Sequence, residues 1–301
     1  MRIFDSGKIA PDFYVTGPPG GPVYLLNADR PALFDAGVSA FAQAYVNDIR
    51  AALDGRAPAY LFLTHAHFDH VGSAGVFKRV WPDLAIVASP TSADILRRPG
   101  AIELITLLNA GSLSLAREQG FEPLNEAPFE PVTVDLTAAP DQIFDLGGGL
   151  TVQAMAAPGH TRDFTSYWIP ARKILISSEA AGNNDGAGAV LPEFLVDIDG
   201  YLANITRFAQ LDIEILCPGH KLVLTGEDAR EHLRRSPAAT RQYIAMAEDF
   251  LRDTKGDLDA AAEMIKEAEW EPLPWPKQPE QAYMLNTRQR VLKVWERMQA
   301  K

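Results

Sequence analysis

The chain has 301 residues, a formal net charge of −11 at pH 7 and 47% hydrophobic residues. A chain of this length can form one large or two small domains and can bury a substantial core. Because phosphate backbones are bound by clustered lysine and arginine, the acidic balance argues against nucleic acid as a partner.

Three further features favour a cytoplasmic protein. The first eight residues lack the apolar core that a signal peptide requires. No apolar run approaches the ~20 residues needed to cross a bilayer, so no membrane partner is expected. The single cysteine, Cys217, precludes an internal disulfide and fits a reducing compartment. Its apolar surroundings indicate a small strand residue rather than a reactive thiol.

The first 54 residues predict strands followed by an amphipathic helix. Strand-like apolar patterns occupy residues 13–17, 23–27 and 32–37. Within residues 38–54, apolar side chains recur at four-residue spacing, at Phe41, Tyr45, Ile49 and Leu53. This spacing predicts a helix that covers one face of the sheet.

The most informative stretch follows the next predicted strand. The apolar residues 57–63 lead directly into the sequence Thr-His-Ala-His-Phe-Asp-His at residues 64–70. Neutral imidazole nitrogen and carboxylate oxygen suit divalent zinc, iron and manganese. A lone histidine is usually a structural residue, but three within six positions predict a metal site. Two metals can share this loop if one pair, His65 and His67, points to one side and Asp69 and His70 to the other.

The middle of the chain predicts an insertion between strands. Strands are expected at residues 84–89, 132–136 and 142–146. Residues 91–120 have a helical pattern, and we interpret about 91–130 as a helical insertion over the sheet edge. The proline-containing residues 121–128 are expected to form a loop that can reach the metal cleft.

Two later histidines, His160 and His220, each close an apolar run with the sequence Pro-Gly-His. A plain turn is the ordinary interpretation of Pro-Gly, but its repetition before a histidine at a predicted strand end indicates ligand presentation. Glu179 follows residues 173–178, which contain the apolar run Ile-Leu-Ile, again at a predicted strand end. If Glu179 is not a ligand, Asp185 is the nearest substitute. Only His232, in a charged segment, follows no apolar run, and we do not expect it to bind metal.

After residue 226 the pattern becomes helical. Asp199 is expected to cap a helix over residues 200–208, and helices are predicted at 227–253, 257–268 and 279–299. We predict a metal-binding catalytic domain at residues 1–226 and a C-terminal helical cap at residues 227–301. Core packing is the favoured interpretation of the apolar stripes in the cap. A substrate lid and a homodimer formed through these helices are open alternatives.

The motifs together resemble the metallo-β-lactamase superfamily. Its pattern of His-x-His-x-Asp-His, a later Gly-His, an acidic residue after a strand and a final Gly-His occurs here from residue 65 to 220. The resemblance implies an α/β fold, an αββα sandwich with a metal site at one edge, extended by a helical insertion and C-terminal helices. The layout is most similar to the quinolone-signal-response protein and its esterase and thioesterase relatives.

The same resemblance implies two divalent metal ions, zinc being the expected metal and iron and manganese the alternatives. The implied ligands are His65, His67 and His160 for one ion, and Asp69, His70 and His220 for the other. Glu179 stands where most members place a bridging aspartate, one methylene shorter. Asp35 matches an Asp-x-Gly of the family that orients a ligand histidine, although a plain turn aspartate is the alternative.

Hydrolysis is the chemistry expected of such a site. A bridging water that loses its proton near neutral pH is a nucleophile, while one metal polarises the carbonyl or phosphoryl oxygen of the substrate. Asp69 is the predicted catalytic residue, because it can orient the bridging hydroxide or accept its proton. The expected substrate is a small ester-like molecule, namely a thioester, carboxylic ester, lactone or phosphoester. Further candidate contacts, each of a type that more often lies at the surface, are Arg162, Asn183, Asn184, Tyr201 and Lys221.

Two other functional classes remain as alternatives. A metal-containing regulatory or binding protein would act on a partner through the C-terminal helices, and the resembled family includes such a case. Oxygen or nitric-oxide reduction at a di-iron site is less favoured. Relatives with that activity carry glutamate inside the first motif and a flavin domain after it, whereas this chain has Ala66 between the first two histidines and no flavodoxin-like continuation.

Overall fold

The computed structural model describes residues 1–18, 20–118, 129–186, 188–220, 222–273, 278 and 280–300. Its strands form two seven-stranded sheets and one two-stranded sheet. The strands are β1 (Arg2–Ile3), β2 (Gly7–Ala10), β3 (Phe13–Thr16), β4 (Val23–Leu26), β5 (Ala32–Phe34), β6 (Tyr60–Phe62), β7 (Ala85–Ala88), β8 (Leu136–Thr137), β9 (Ile143–Gly147), β10 (Leu150–Ala156), β11 (Thr165–Ile169), β12 (Ile174–Ile176), β13 (Asn183–Asn184), β14 (Val190–Leu191), β15 (Ile215–Cys217) and β16 (Val223–Thr225).

The helices surround the two large sheets. They are α1 (Ala42–Ala52), α2 (Phe68–Val71), α3 (Ala74–Val80), α4 (Pro90–Ile95), α5 (Pro99–Glu118), α6 (Ile198–Phe208), α7 (Glu227–Asp253), α8 (Leu258–Ile265) and α9 (Glu280–Gln299). Short 3-10 segments occur at Ser39–Phe41, Pro170–Arg172 and Ser178–Ala181, and a π-helical turn at Lys266–Trp270 continues α8.

The first large sheet has the strand order β2-β3-β4-β5-β6-β7-β8. Strands β2 to β5 pair antiparallel, whereas β5, β6, β7 and β8 are parallel. The second sheet has the order β1-β16-β15-β12-β11-β10-β9, and within it β12 and β15 are parallel. Parallel neighbours present their carboxyl ends at the same edge of a sheet. The loops that follow β12 and β15 therefore start side by side.

The central strands of each sheet are buried on both faces, which explains the continuous apolar runs in the sequence. Along β12, Ile174 and Ile176 point into a layer that contains side chains of both sheets, and Leu175 points into a layer shared with α6 to α9. On the other side, α1 and α3 pack against the outer face of the first sheet. The order helix, sheet, sheet, helix is the expected αββα sandwich.

Most of the predicted elements are present, and two differ in extent. Helix α1 buries Tyr45 and Ile49 as the four-residue spacing predicts. Residues 132–136 were expected to form a strand, but only Leu136 and Thr137 pair with β7. The cap of α6 is Asp197 rather than Asp199, because the Asp197 side chain accepts hydrogen bonds from the backbone N–H groups of Asp199 and Gly200.

The predicted insertion contains two helices, α4 and α5, before the gap in the described residues. The expected loop at residues 121–128 lies outside the described residues. The three C-terminal helices are present, and they pack in the same apolar layer as α6. The division into domains 1–226 and 227–301 stays a prediction. Among the described helices, none combines the length and apolar character that a membrane crossing needs.

Candidate metal centre

The histidine-rich loop begins where β6 ends, and Asp35 fixes its first residues. The backbone N–H of Thr64 donates to Asp35 Oδ1 at 2.8 Å, and the Thr64 hydroxyl donates to Asp35 Oδ2 at 3.0 Å. The Nδ1 of His70 lies 2.9 Å from the same Oδ2. Asp35 is 2% exposed, so these bonds form away from solvent. Asp35 therefore orients His70, and the binding of metal by His70 stays a prediction.

A buried amide on the insertion helix holds the same loop from outside. Asn109 of α5 donates to the carbonyl of Phe68 at 3.1 Å and accepts from the backbone N–H of Ser39 at 2.9 Å. The chain passes so close that a Cβ at Gly72 would lie 2.5 Å from Asn109 Oδ1 and 2.6 Å from the carbonyl oxygen of Gly37. Glycine is thus required at position 72 by space.

Three imidazoles form the first group of candidate ligands. One nitrogen from each of His65, His67 and His160 lies within 4.8 Å of the others. The Thr64 hydroxyl gives its proton to Asp35 and can accept one from His65 Nδ1, 3.0 Å away. This bond leaves His65 Nε2 as a bare acceptor, buried and without a partner among the described residues. An orphaned buried nitrogen is costly unless a ligand satisfies it.

His160 is oriented in the same manner by a backbone carbonyl. A carbonyl oxygen can only accept, so His160 Nδ1–H donates to the oxygen of Glu193 at 2.5 Å. His160 Nε2 then faces His67 Nδ1 at 3.2 Å. Phe164 stacks on His65, with 4.7 Å between ring centroids and 23° between planes. His65 and His160 are thus held with an unprotonated Nε2, and a nitrogen of His67 lies within 4.8 Å of both.

Glu179 lies at the centre of the second group. Its Oε1 is 2.8 Å from the Nε2 of His70 and 2.8 Å from the Nε2 of His220, and its Oε2 accepts from the Ser178 hydroxyl at 2.5 Å. Asp69 Oδ2 is 3.6 Å from His220 Nε2. His220 Nδ1–H donates to the carbonyl of Gly20 at 2.9 Å, which turns Nε2 towards the carboxylates.

Candidate ligand atoms also connect the two groups. Atoms of His65, His70 and Glu179 lie within 4.8 Å of one another, as do atoms of Asp69, His70 and His220. Glu179 thus contacts His70 and His220 of the second group, and its carboxylate is also within 4.8 Å of His65 in the first. All seven residues predicted from the sequence as metal ligands are brought together here, and their binding of metal stays a prediction.

The electrostatic environment divides the cluster into two halves. Burial lowers the pKa of His65 well below its usual value and that of His160 to about 4. Burial also lowers the pKa of His67. These three imidazoles are neutral at pH 7, and only a neutral imidazole has the free electron pair that a metal needs.

The other half contains the carboxylates. Burial opposes ionisation of Glu179, but the charge of His70 and the hydrogen bond from His220 hold its pKa well below the usual range. For His220 burial lowers the pKa, yet the hydrogen bond to Glu179 outweighs it and raises the value to about 9. Cations are favoured beside this buried carboxylate. Three neutral imidazoles, those of His65, His67 and His160, one of them with an orphaned nitrogen, together with the Glu179 carboxylate therefore fit a divalent metal.

The family relationship can be tested directly on the sequence. A model of the metallo-beta-lactamase superfamily matches residues 16–220, which is more than half of the chain and contains all seven candidate ligands. The chain belongs to the metallo-beta-lactamase superfamily. Membership in this superfamily supports a metal-dependent hydrolase in general, and its members generally bind divalent metals.

Solved structures of low sequence identity share this metallo-beta-lactamase fold. A HARLDQ-motif mutant of the metallo-beta-lactamase from Cronobacter sakazakii is 22% identical, with a TM-score of 0.59 over 81% of this chain and 98% of its own. A metallo-beta-lactamase family protein from Thermus thermophilus is 16% identical, with a TM-score of 0.65 over 97% of this chain and 95% of its own. An archaeal metallo-beta-lactamase superfamily protein from Sulfolobus tokodaii is 18% identical, with a TM-score of 0.57 over 98% of both chains. The last two similarities extend beyond residue 220, into the C-terminal helices.

The superfamily motif does not identify every residue that holds the loop. Asp163 is 4% exposed, and its Oδ2 accepts from the backbone N–H of Ala66 at 2.9 Å and from the Ser92 hydroxyl at 2.7 Å. It therefore fixes the backbone between His65 and His67. Sequence reasoning missed both residues, because Asp163 follows no apolar run and Asn109 lies inside an apolar stretch of a predicted helix, where no strand end was expected. The sequence feature that could have identified Asp163 is its position, three residues after the histidine of the first Pro-Gly-His.

The residues predicted as substrate contacts differ in burial and in the groups they contact. Tyr201 is fully buried, and its hydroxyl accepts from the backbone N–H of Glu193 at 3.1 Å, so it supports the loop rather than the surface. Asn184 is buried, Asn183 is half-buried and donates to Glu193 Oε1 at 3.4 Å, and Arg162 is exposed. Lys221 lies outside the described residues. Asp185 accepts from the backbone N–H of Gly188 at 2.7 Å, which makes it a turn residue.

His232 contacts the backbone that follows Glu179. It lies in α7, is 3% exposed, and its Nε2–H donates to the carbonyls of Ala181 and Gly182, each at 3.2 Å. The groups of candidate ligands in the described part of the chain do not include it. Its charged neighbours in sequence point away, because α7 buries one face only. His232 therefore joins the C-terminal helices to the metal loop as a neutral imidazole.

This burial predicts a pH dependence of stability. Burial lowers the pKa of His232 from 6.5 to about 4 in the folded protein. Between these values the unfolded chain binds more protons, so stability falls as the pH falls through this window. We expect this histidine to remove about 2 kcal/mol of unfolding free energy between pH 7 and 5. Urea unfolding at both pH values measures the loss.

The matched variant for this measurement is His232→Gln. Glutamine can donate to the same carbonyls and does not titrate. The variant should lose about 2 kcal/mol less than the wild type over the same pH interval. Equal losses in the two proteins would contradict a buried, neutral His232.

Proposed function

We propose that this protein is a dinuclear metal-dependent hydrolase of small ester-like substrates. The observation that carries the proposal is the position of Glu179, whose Oε1 is 2.8 Å from both His70 Nε2 and His220 Nε2 and which also lies in one group with His65. A carboxylate between two sets of imidazoles is suited to contact two cations at once. Zinc is the metal we propose, and iron or manganese suit the same ligands.

The side chains divide into those that bind and those that orient. The ligands of the proposal are His65, His67, Asp69, His70, His160, Glu179 and His220. Asp35, the Glu193 carbonyl and the Gly20 carbonyl each hold one histidine by its Nδ1 and present its Nε2. Two divalent ions, when bound, lower the pKa of a water and polarise the carbonyl or phosphoryl oxygen of the substrate.

Asp69 is the proposed catalytic carboxylate. Its side chain is 26% exposed, whereas that of Glu179 is 4% exposed, so Asp69 is the acid that substrate and water can reach. It lies within 4 Å of His70 and His220. From this position it can orient a water and hold a proton during attack.

Two features support a small, partly apolar ester over a nucleic acid. The net charge of −11 gives phosphate backbones no electrostatic attraction. Phe164 stacks on His65, and Phe68 directly follows His67 in the metal loop. Apolar groups beside a polar centre are typical of sites for small organic substrates.

The test combines metal analysis with hydrolysis. Protein purified without added metal is analysed for zinc, iron and manganese, and assayed with a thioester, a carboxylic ester, a lactone and a phosphodiester. We expect two metals per chain and turnover of at least one substrate class. His67→Ala should lower that turnover about 10³-fold, because a bound metal contributes several kcal/mol to the transition state.

His67 is the preferred ligand to replace, because it is half-buried and its loss disturbs the core least. His232→Gln is the matched control, since it removes a histidine outside the cluster and should retain metal and turnover. Normal turnover in His67→Ala would contradict the proposal. So would a wild type that contains no metal and hydrolyses none of the substrates. The second result would favour a regulatory protein that acts through the C-terminal helices.

A further inference from the structure

The last helix of the chain holds the segment that orients His160. Arg290 Nη1 donates to the carbonyl of Pro192 at 2.7 Å, and Gln289 Nε2 donates to the carbonyl of Leu195 at 2.8 Å. Both donors come from α9, almost one hundred residues later in the sequence. They fix the backbone on either side of residues 193 and 194.

Glu193 lies between these two anchor points. Its carbonyl oxygen accepts from His160 Nδ1–H at 2.5 Å, and its backbone N–H donates to the Tyr201 hydroxyl at 3.1 Å. The direction of this carbonyl decides which nitrogen of His160 carries the proton. Anything that holds the segment from Pro192 to Leu195 therefore also sets the state of His160 Nε2.

Arg290 is an unusual residue for the position it occupies. It is 1% exposed, its guanidinium lies 4.5 Å from the ring centroid of Tyr243, and its Nη2 donates to the Thr287 hydroxyl at 2.9 Å. Its Nε has no partner among the described residues. A buried charge of this kind costs stability relative to an apolar side chain of similar volume. The bond to the Pro192 carbonyl is a contact that an apolar residue cannot make.

We propose that Arg290 and Gln289 are positioning residues for the metal site. Through Pro192 and Leu195 they fix the Glu193 carbonyl, which keeps His160 as the Nδ1–H tautomer with Nε2 free to bind metal. The C-terminal helices are then part of the metal site rather than only a cover over it. This inference rests on the proposed function for its consequence on metal binding, but the tautomer itself can be measured without metal.

The experiment compares Gln289→Ala and Arg290→Met with the wild type. Nitrogen-15 NMR of the metal-free proteins reports the protonated nitrogen of His160, assigned with His160→Gln. We expect the Nδ1–H tautomer in the wild type and a mixture of tautomers in both variants. Competition with a chromophoric chelator measures zinc affinity, and we expect a loss of about 10- to 100-fold, the usual effect of removing a residue that orients a metal ligand.

Two further variants separate positioning from general loss of stability. Arg288→Ala removes an exposed arginine of the same helix, whose ion pair is with Asp259, and should leave the tautomer and zinc affinity unchanged. Arg290→Lys keeps a donor for Pro192 and should restore part of the zinc affinity. Gln289 is half-buried, so Gln289→Ala keeps the test decisive if Arg290→Met does not fold.

The two proposals fail in different ways. Folded Gln289→Ala and Arg290→Met proteins that keep the wild-type tautomer of His160 would overturn the positioning role, whatever the metal content. A wild type that binds no zinc, iron or manganese would overturn the proposed function, and the tautomer comparison would then decide the positioning role alone.

Discussion

Replacement of Glu179 by alanine is expected to reduce the metal content from two ions per chain to about one and to lower kcat/KM about 10³-fold. The reason is geometric: Oε1 of this one side chain is 2.8 Å from Nε2 of both His70 and His220. Without the carboxylate, these two imidazoles lose the negative charge that favours a cation beside them. Elemental analysis and steady-state kinetics on the substrate hydrolysed by the wild type measure both effects.

Two conservative variants show which property of Glu179 matters. Glu179→Gln keeps the shape and removes the charge, so it should resemble Glu179→Ala in metal content. Glu179→Asp keeps the charge on a side chain one methylene shorter, the length that most superfamily members are expected to have, and should retain the second metal with reduced turnover. Two metals and normal turnover in Glu179→Gln would show that this residue does not bridge two ions.

The second large effect is expected for Asp69→Asn. General acid–base groups contribute about 10²- to 10⁴-fold to turnover, and we expect kcat to fall within this range at saturating zinc. Asp69 is the partly exposed carboxylate of the cluster, 3.6 Å from His220 Nε2. Asparagine has nearly the same shape but cannot hold a proton. Steady-state kinetics in excess zinc, with the metal content of the same sample, measure the effect.

The metal content decides how the Asp69→Asn result is interpreted. A fall in kcat with two metals still bound supports a catalytic role for the carboxylate. A fall in kcat together with loss of one metal would make Asp69 a ligand only. Normal turnover with both metals bound would exclude a part in proton transfer. Asp163→Asn is a useful comparison, because Asp163 holds the backbone of Ala66 and is 4% exposed, away from substrate.

Much of the architecture could be predicted from the sequence. Helix α1 and the C-terminal helices follow from the spacing of apolar residues, and β6, β12 and β15 follow from short apolar runs. The prediction failed at residues 132–136, where a strand-like pattern gives only a two-residue strand at the sheet edge. An alternating pattern indicates which face each side chain lies on. The length of an edge strand depends instead on how many backbone groups of its single neighbour, here β7, are in position to pair with it.

The sequence by itself determined the chemistry of the candidate site. Side-chain type is local information, and a histidine or acid directly after an apolar run is at a strand end wherever the strand lies. The seven candidate ligands could be named before their distances were known because each lies in the short segment that follows an apolar run and because their order resembles the superfamily pattern.

Only the tertiary structure decided how these ligands are arranged. The parallel pairing of β12 with β15 brings Glu179 within 2.8 Å of His220, 41 residues later. The rings of His160 and His220 are oriented by the carbonyls of Glu193 and Gly20, which accept from their Nδ1–H groups. Every residue has a backbone carbonyl, so no residue type marks the ones that orient a histidine. The positions of these carbonyls depend on how distant segments pack. The same is true of the hydrogen bond from Arg290 to the Pro192 carbonyl, in the segment that orients His160.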